Sequence, residues 1–362
     1  MSDEKSRCCS AGGCCTEELI TPYGKKDKWI IGEIHTPQGS VPVISTDISL
    51  KDTLGAWKVR WGIGRMDYMI NPGLYAVGNP NHASPVLVSA NYKLTFDTLR
   101  KELFRFDCWL LILDTKGINV WCAAGKGTFG TDELVGRISK VKLSEIVSHR
   151  KLILPQLGAP GMIAHEVTKQ TGFSVVYGPV RAKDIKVFLD SGFKATKEMR
   201  TVKFTVWDRL VLTPVELVAA AKTSLKVFGV LFLINLFAAR PFRLADFIAY
   251  VGTVVTGSVL TPILLPLIPG RAFAWKGWLL GLFWTVGFIW LNGWFASVVL
   301  LLAIGYLLVL PALSAYLAMN FTGSSTYTSF SGVIKEMKAA VPLIALSSAA
   351  GIVLLLIAAI SA

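Results

Sequence analysis

The chain has 362 residues, 52% of them hydrophobic, and a positive mean hydropathy. A soluble protein of this length is usually more polar, so membrane segments are the first expectation. The net charge of +13 comes without clustered Lys/Arg interleaved with aromatics, which argues against nucleic acid and assigns the basic residues to anionic lipid headgroups.

Charge divides the chain. Residues 1–215 hold 29 Lys+Arg against 21 Asp+Glu, a net of +8, whereas residues 216–362 hold 8 against 3 over long apolar runs. A length of this size suits two units. Residues 1–25 read as a flexible Cys-rich tail, 26–215 as a cytoplasmic α/β domain and 216–362 as a transmembrane domain. No apolar core follows a basic start in the first 20 residues, so no cleavable signal peptide is expected. The first domain is then expected in the cytoplasm, where thiols stay reduced. Its cysteines are candidate ligands or nucleophiles and not a disulfide framework.

From Trp29 the pattern is α/β. Leu74–Val77 and Pro85–Ser89 are short β-rich runs, and 95–105 has helical spacing. Trp109–Asp114 is a continuous apolar run ending in Asp, as in a strand inside a parallel sheet, and Cys108 beside it reads as core. Helices are predicted over 131–139, 161–171 and 184–191, and strands over Leu152–Leu154 and Phe173–Tyr177. The alternation predicts a doubly wound, Rossmann-like sheet with its ligand site at the carboxyl ends of the strands.

After Thr213-Pro214 five apolar spans are predicted, at about 222–239, 246–268, 273–291, 294–318 and 340–361. Arg271, Lys276, Lys335 and Lys338 then fall in cytoplasmic loops, as the positive-inside rule asks, while Arg240 and Arg243 oppose it. The expected location is the inner membrane, multi-pass. Few intramembrane charges favour an anchor over an ion-coupled carrier. Pro262, Pro266, Pro269 and Pro311 are expected to kink the second and fourth spans.

The run Asn119-Val120-Trp121-Cys122-Ala123-Ala124-Gly125-Lys126 follows the Asp114 strand after a polar turn. Asn119 is a good N-cap, and Cys122 would sit in the first turn of a short helix, where free amides and the dipole favour a thiolate. Ala123, Ala124 and Gly125 would let something flat approach. The plain alternative is an inert cysteine packed beside Trp121. Gly125-Lys126-Gly127-Thr128 lacks the upstream glycine and the following Ser/Thr of a phosphate loop, which excludes that reading.

The octapeptide 119–126 resembles the cap-helix motif of the mercury-methylating corrinoid proteins. Val88–Thr95, Leu154–Gly161 and Tyr177–Arg181 resemble cofactor loops of that family and of the related corrinoid iron–sulfur proteins. The likeness covers most of residues 70–215, and five terminal spans match the family architecture. It implies a base-off cobalamin or related corrinoid whose cobalt takes Cys122 as its lower ligand. It also implies cofactor contacts at Ser89, Asn91, Tyr92, Thr95, Asn119, Trp121, Ala123, Gly125, Leu157, Gly158, Gly161 and Tyr177. The implied reaction passes a methyl group to Hg(II), from a folate-derived donor. The implied partner is a ferredoxin-like protein with two [4Fe-4S] clusters, since no cluster-type cysteine spacing occurs in this chain.

Cys8-Cys9 and Cys14-Cys15 fit no common zinc spacing; as vicinal soft ligands they are candidates for Hg(II), against an incidental or lipidated tail. Of the four histidines only His165 lies near the expected site, and none is the first choice as ligand. Two other readings remain: a membrane-anchored methyl carrier for a different one-carbon acceptor, and a corrinoid-binding membrane protein without turnover.

Overall fold

A computed structural model describes residues 27–235, 243–293 and 300–360. They form two compact units: the described residues up to Ala56 with Met66–Thr201, and Trp57–Arg65 with those from Val202 onward. The tail bearing Cys8, Cys9, Cys14 and Cys15 lies outside the described residues.

The first unit is built on seven strands: β1 Ile30–Thr36, β2 Gly39–Ile44, β3 Gly73–Val77, β4 Val86–Ala90, β5 Cys108–Leu113, β6 Lys151–Leu154 and β7 Ser174–Tyr177. Their order is β1-β2-β3-β5-β4-β6-β7. β4 pairs in parallel with β5 and β6, and β6 with β7. The α/β class is as expected, but the sheet is mixed and not wholly parallel. β3 runs antiparallel to β5, and β1 and β2 form a hairpin that was not predicted. That hairpin is quiet in sequence because β1 is largely solvent-facing and carries no apolar run.

Helices α1 Leu50–Arg60, α2 Lys93–Glu102, α3 Val120–Lys126, α4 Thr131–Lys140, α5 Leu143–Ile146, α6 Ala164–Thr171 and α7 Ile185–Asp190 complete this part of the chain, α1 running into the second unit. One core cluster joins Val88, Leu111 and Leu113 to Val120, Ala123, Leu134, Ile138 and Val167, so α3, α4 and α6 cover one face. The other joins Tyr75, Leu87 and Leu110 to Phe96, Leu99 and Phe188, so α2 and α7 cover the opposite face. Coverage on both sides explains why every residue of β3, β4 and β5 is buried and why β4 and β5 read as unbroken apolar runs.

The second unit holds α8 Val206–Leu210, α9 Thr213–Asn235, α10 Leu244–Val255, α11 Thr261–Leu264, α12 Phe273–Leu291, α13 Leu300–Asn320 and α14 Phe330–Ile360. A π-turn, Thr256–Leu260, joins α10 to α11. Four helical stretches among the described residues are long and apolar enough to cross a membrane: Leu244–Leu264, Phe273–Leu291, Leu300–Gly323 and Ser331–Ala359. They correspond to the last four predicted spans. The first predicted span is not among them: its helix, α9, carries Lys222 and Lys226, and residues 236–239 lie outside the described ones. Pro311 lies within α13 without ending it.

Candidate functional site

β4, β5, β6 and β7 share one direction, so their carboxyl ends open on one edge of the sheet. In open α/β sheets that edge is where ligands bind. Asn91 follows β4 there, the loop 114–119 follows β5, a 3₁₀ turn Gln156–Gly161 follows β6, and Gly178 follows β7.

Asn91 stitches two of these loops together. Its Oδ1 accepts hydrogen bonds from the Thr115 amide (3.1 Å) and the Gly117 amide (3.0 Å) and lies 2.9 Å from the Thr115 hydroxyl oxygen, while Nδ2 donates to Asp114 at 3.3 Å. The Thr115 hydroxyl then donates to the Ile118 carbonyl at 2.6 Å. Asn91 therefore shapes the loop that presents the next helix. Its side chain is occupied with the protein itself. Asp114 pairs with Lys116, and its backbone amide donates to Glu133 at 2.8 Å, which in turn holds Arg137 at 2.7 Å. Burial alone would raise the Asp114 carboxyl, but hydrogen bonds from Lys116 outweigh it and hold the group below its ordinary value.

The helix that follows is α3. Asn119 caps it as the spacing predicts: its Oδ1 accepts from the Cys122 amide at 2.9 Å. Gly127, at φ +80°, ends it in a left-handed cap. Val120, Ala123 and Ala124, spaced three and four apart, point into the core. Trp121, Cys122, Gly125 and Lys126 consequently fall on the outer side, and the Cys122 thiol is partly exposed and free. Nothing lies within 4 Å of where a Gly125 side chain would begin. Replacing Asn119 by alanine is expected to cost about 1 kcal/mol of local stability. Faster hydrogen exchange at the Cys122 amide would report it, and unchanged exchange would refute the cap's importance.

Gly158 and Gly161 have a packing task beside the one expected of them. A Cβ on Gly158 would sit 2.5 Å from the Phe129 ring; one on Gly161 would sit 2.2 Å from the Phe129 carbonyl oxygen and 3.0 Å from Ala124 Cα. Their bareness lets the 3₁₀ turn press against α3 from below. They seat the helix. Leu157 and Tyr177 are half-buried and pack against the same core cluster.

Not all the expected contacts converge on α3. Ser89 alternates with Val88 and Ala90 along β4, so it lies on the sheet face that α2 covers. Thr95 is in the first turn of α2 itself. Tyr92 is buried and meets Tyr68 edge-to-face at 6.5 Å. His165 is exposed on α6. Cys108 is fully buried at the start of β5, and burial, with Asp107 nearby, pushes its thiol up to about 12. It is an inert core residue.

Sequence reasoning missed residues 66–70. Gly117 packs under the Met66 carbonyl (a Cβ would meet it at 3.0 Å) and beside Met69. The Ile70 amide donates to the Asn91 carbonyl at 2.9 Å, and the Lys93 amide to the Tyr68 carbonyl at 3.0 Å. Met66 and Met69 are exposed at the same edge as the loop preceding α3. Two exposed methionines in a short loop were the available signal.

The family model for the CO dehydrogenase/acetyl-CoA synthase delta subunit matches residues 64–189, which contain all of these loops. The chain is also similar to acetyl-CoA decarbonylase/synthase complex subunit gamma of Methanopyrus kandleri, 30% identical over 155 residues, covering 40% of this chain and 33% of that protein. The corresponding subunits of Archaeoglobus fulgidus and Methanocaldococcus jannaschii are 30% and 32% identical over 131 and 139 residues. These matches cover 36% and 38% of this chain, and 27% and 28% of those proteins. The chain thus spans a third or less of the length of these curated relatives.

Proposed function

We propose that the α/β unit holds a corrinoid at the carboxyl edge of the sheet, with Cys122 as its lower cobalt ligand, and that the protein is a membrane-embedded methyltransferase. The carrying observation is α3: a capped helix, seated from below by two glycines, with one free thiol on its open side. Among the described residues no group of three or more His, Cys, Asp or Glu could complete a coordination sphere. A lone thiol fits a metal that arrives already enclosed in a macrocycle. The empty space above Gly125 fits a broad ring lying against the helix.

A corrinoid bound here supplies a cobalt that carries a methyl group from donor to acceptor. The chain's own part is to bind and orient. Asn119 fixes the backbone of Cys122, Asn91 fixes the loop that leads into α3, and Trp121 and Lys126 flank the thiol. Leu157, Tyr177 and the 66–70 segment border the ring's periphery. Ala123 keeps the underside of α3 slim, while Ser89, Tyr92 and Thr95 serve from the α2 side. A Cys122 thiolate requires the base-off form and is a strong electron donor, which suits delivery to an electrophile such as thiol-bound Hg(II). The resemblance of residues 119–126 to the mercury-methylating motif supports that acceptor.

A small ferredoxin-like protein with two [4Fe-4S] clusters is the proposed reductant. The described cysteines of this chain, Cys108 and Cys122, are too few for a cluster. Five spans, with the α/β unit on the cytoplasmic side of the inner membrane, complete the reading; the four long apolar helices support it. The proposed capture of Hg(II) by Cys8, Cys9, Cys14 and Cys15 predicts that changing all four to serine lowers product at scarce Hg(II).

A second reading, a carrier for another one-carbon acceptor, is favoured by the similarity to acetyl-CoA decarbonylase/synthase gamma subunits. The two separate in one assay with purified, corrinoid-loaded protein, reductant and thiol-bound Hg(II). Methylmercury should form, and Cys122→Ala should abolish it and remove the cobalt–sulfur signature from the visible spectrum. No product from wild type that retains the signature would leave only the second reading and that of a corrinoid-binding membrane protein without turnover. A wild-type spectrum without it would overturn the ligand assignment.

A further inference from the structure

Helix α8 is inside out by the rules of a water-soluble protein. Val206, Trp207 and Leu210 are 55%, 69% and 36% exposed, whereas Arg209 between them is 4% exposed. The Arg209 guanidinium adjoins the apolar cluster of Phe204, Leu265, Phe273 and Phe321. It reaches the Tyr327 hydroxyl at 3.2 Å and the Phe204 carbonyl at 3.5 Å. Its Nε is buried with no hydrogen-bond partner, and among the described residues no carboxylate pairs with it. The neighbouring Asp208 turns back to cap α8, accepting from the Thr205 amide and hydroxyl at 2.8 and 2.9 Å. A second cation, Lys276, abuts the same cluster and, among the described residues, donates to the Leu265 carbonyl.

Burying a guanidinium without an anion is strongly unfavourable. An anion from outside the described residues would meet that need. Arg presents a planar fork of donors that matches phosphate. The exposed Val206, Trp207 and Leu210 need an apolar surrounding on the other side of the same helix, and Trp favours the headgroup level of a bilayer. The same unit exposes Trp57, Trp61 and Ile63 as well. We propose that Arg209, with the Tyr327 hydroxyl beside it, seats the phosphate of an anionic phospholipid headgroup, while the apolar side of α8 meets the acyl boundary. Net negative charge on the lipid is required because Lys276 adds to the positive charge there.

This inference rests on the membrane embedding proposed above, which is tested first by alkaline extraction of membranes carrying the full chain. Loss to the soluble fraction refutes both. For the embedded protein, purified in detergent and offered equimolar phosphatidylglycerol and phosphatidylcholine, native mass spectrometry should find phosphatidylglycerol retained preferentially. Arg209→Gln should weaken that retention on the order of tenfold, and excess inorganic phosphate should not displace the lipid. Equal retention of both lipids, or unchanged retention by Arg209→Gln, overturns the proposal, as does displacement by inorganic phosphate. If Arg209→Gln does not fold, Tyr327→Phe removes only the hydroxyl and should weaken retention a few-fold; no change overturns the proposal equally.

Discussion

Replacing Arg100 by methionine should cost the α/β unit about 3–5 kcal/mol, the usual penalty for breaking a buried ion pair from one side. Arg100 is fully buried in α2. Its Nε donates to Asp97 at 2.8 Å and its Nη2 to Asp52 at 2.9 Å. Its Nη1 donates to the Ser45 and Asp47 carbonyls, both at 2.6 Å. Lys93 binds the same two carboxylates, Asp52 at 2.8 Å and Asp97 at 2.7 Å. Two cations and two anions thus cancel in one cluster that ties α1 and the chain after β2 to α2. Methionine fills the space but leaves two carbonyls without donors and two carboxylates sharing one lysine. Hydrogen exchange of the full chain in detergent should show the amides of α1 and α2 losing protection; retained protection would refute the clamp. Acid should act on the same cluster. Burial pushes the Asp52 carboxyl up, but hydrogen bonds from Lys93 and Ser49 and the Lys93 charge more than reverse this, lowering it from 3.8 to about 2. A carboxyl depressed in the folded state adds stability above its unfolded value. That stability fades as pH falls from about 4 towards 2. Asp52→Asn should flatten the loss across this window.

Two glycines beside the proposed corrinoid site should respond in opposite senses. Gly161→Ala drives a methyl group to 2.2 Å from the Phe129 carbonyl oxygen and 3.0 Å from Ala124 Cα, and backbone cannot swing aside. The expected cost is about 1–3 kcal/mol, towards the upper end, with α3 lifted off its seat and corrinoid retention lost. Gly125→Ala meets open space in a helix, and should stabilise α3 by roughly 0.4–1 kcal/mol. Enlarging the same position to Phe should leave folding intact while blocking the ring. Melting curves and corrinoid content after gel filtration read both effects. Corrinoid retained by Gly125→Phe would mean that the ring does not lie over this face.

What could be read beforehand was local. β4 and β5 announce themselves as apolar runs, and Asn119 announces α3 because an Asn before a short apolar segment has few other uses. The sequence puts Cys122 in the first turn of that helix but leaves open whether it faces outward or packs beside Trp121. What escaped depends on partners far along the chain. Lys93, Asp97 and Arg100 look like a solvated helix face until Asp52, more than forty residues earlier, closes the cluster. The packing of Gly158 and Gly161 is invisible until Phe129 is seen in the space they leave. The reversed β3 escaped because a five-residue apolar strand carries no mark of its direction.

That reversal has a practical side. Because β3 runs parallel to β2 but against β5, its amino end, led by residues 66–70, opens on the Cys122 edge, while its carboxyl end opens on the far edge. There the exposed turn at Asn81, His82 and Ala83 is tied to Ser148 through the His82 carbonyl at 2.8 Å. The sheet therefore has one rim that carries the proposed site and another open to handling. A fluorophore, epitope or immobilising tag inserted at 81–83 would report on the domain, or hold it, without touching the proposed site on the other side.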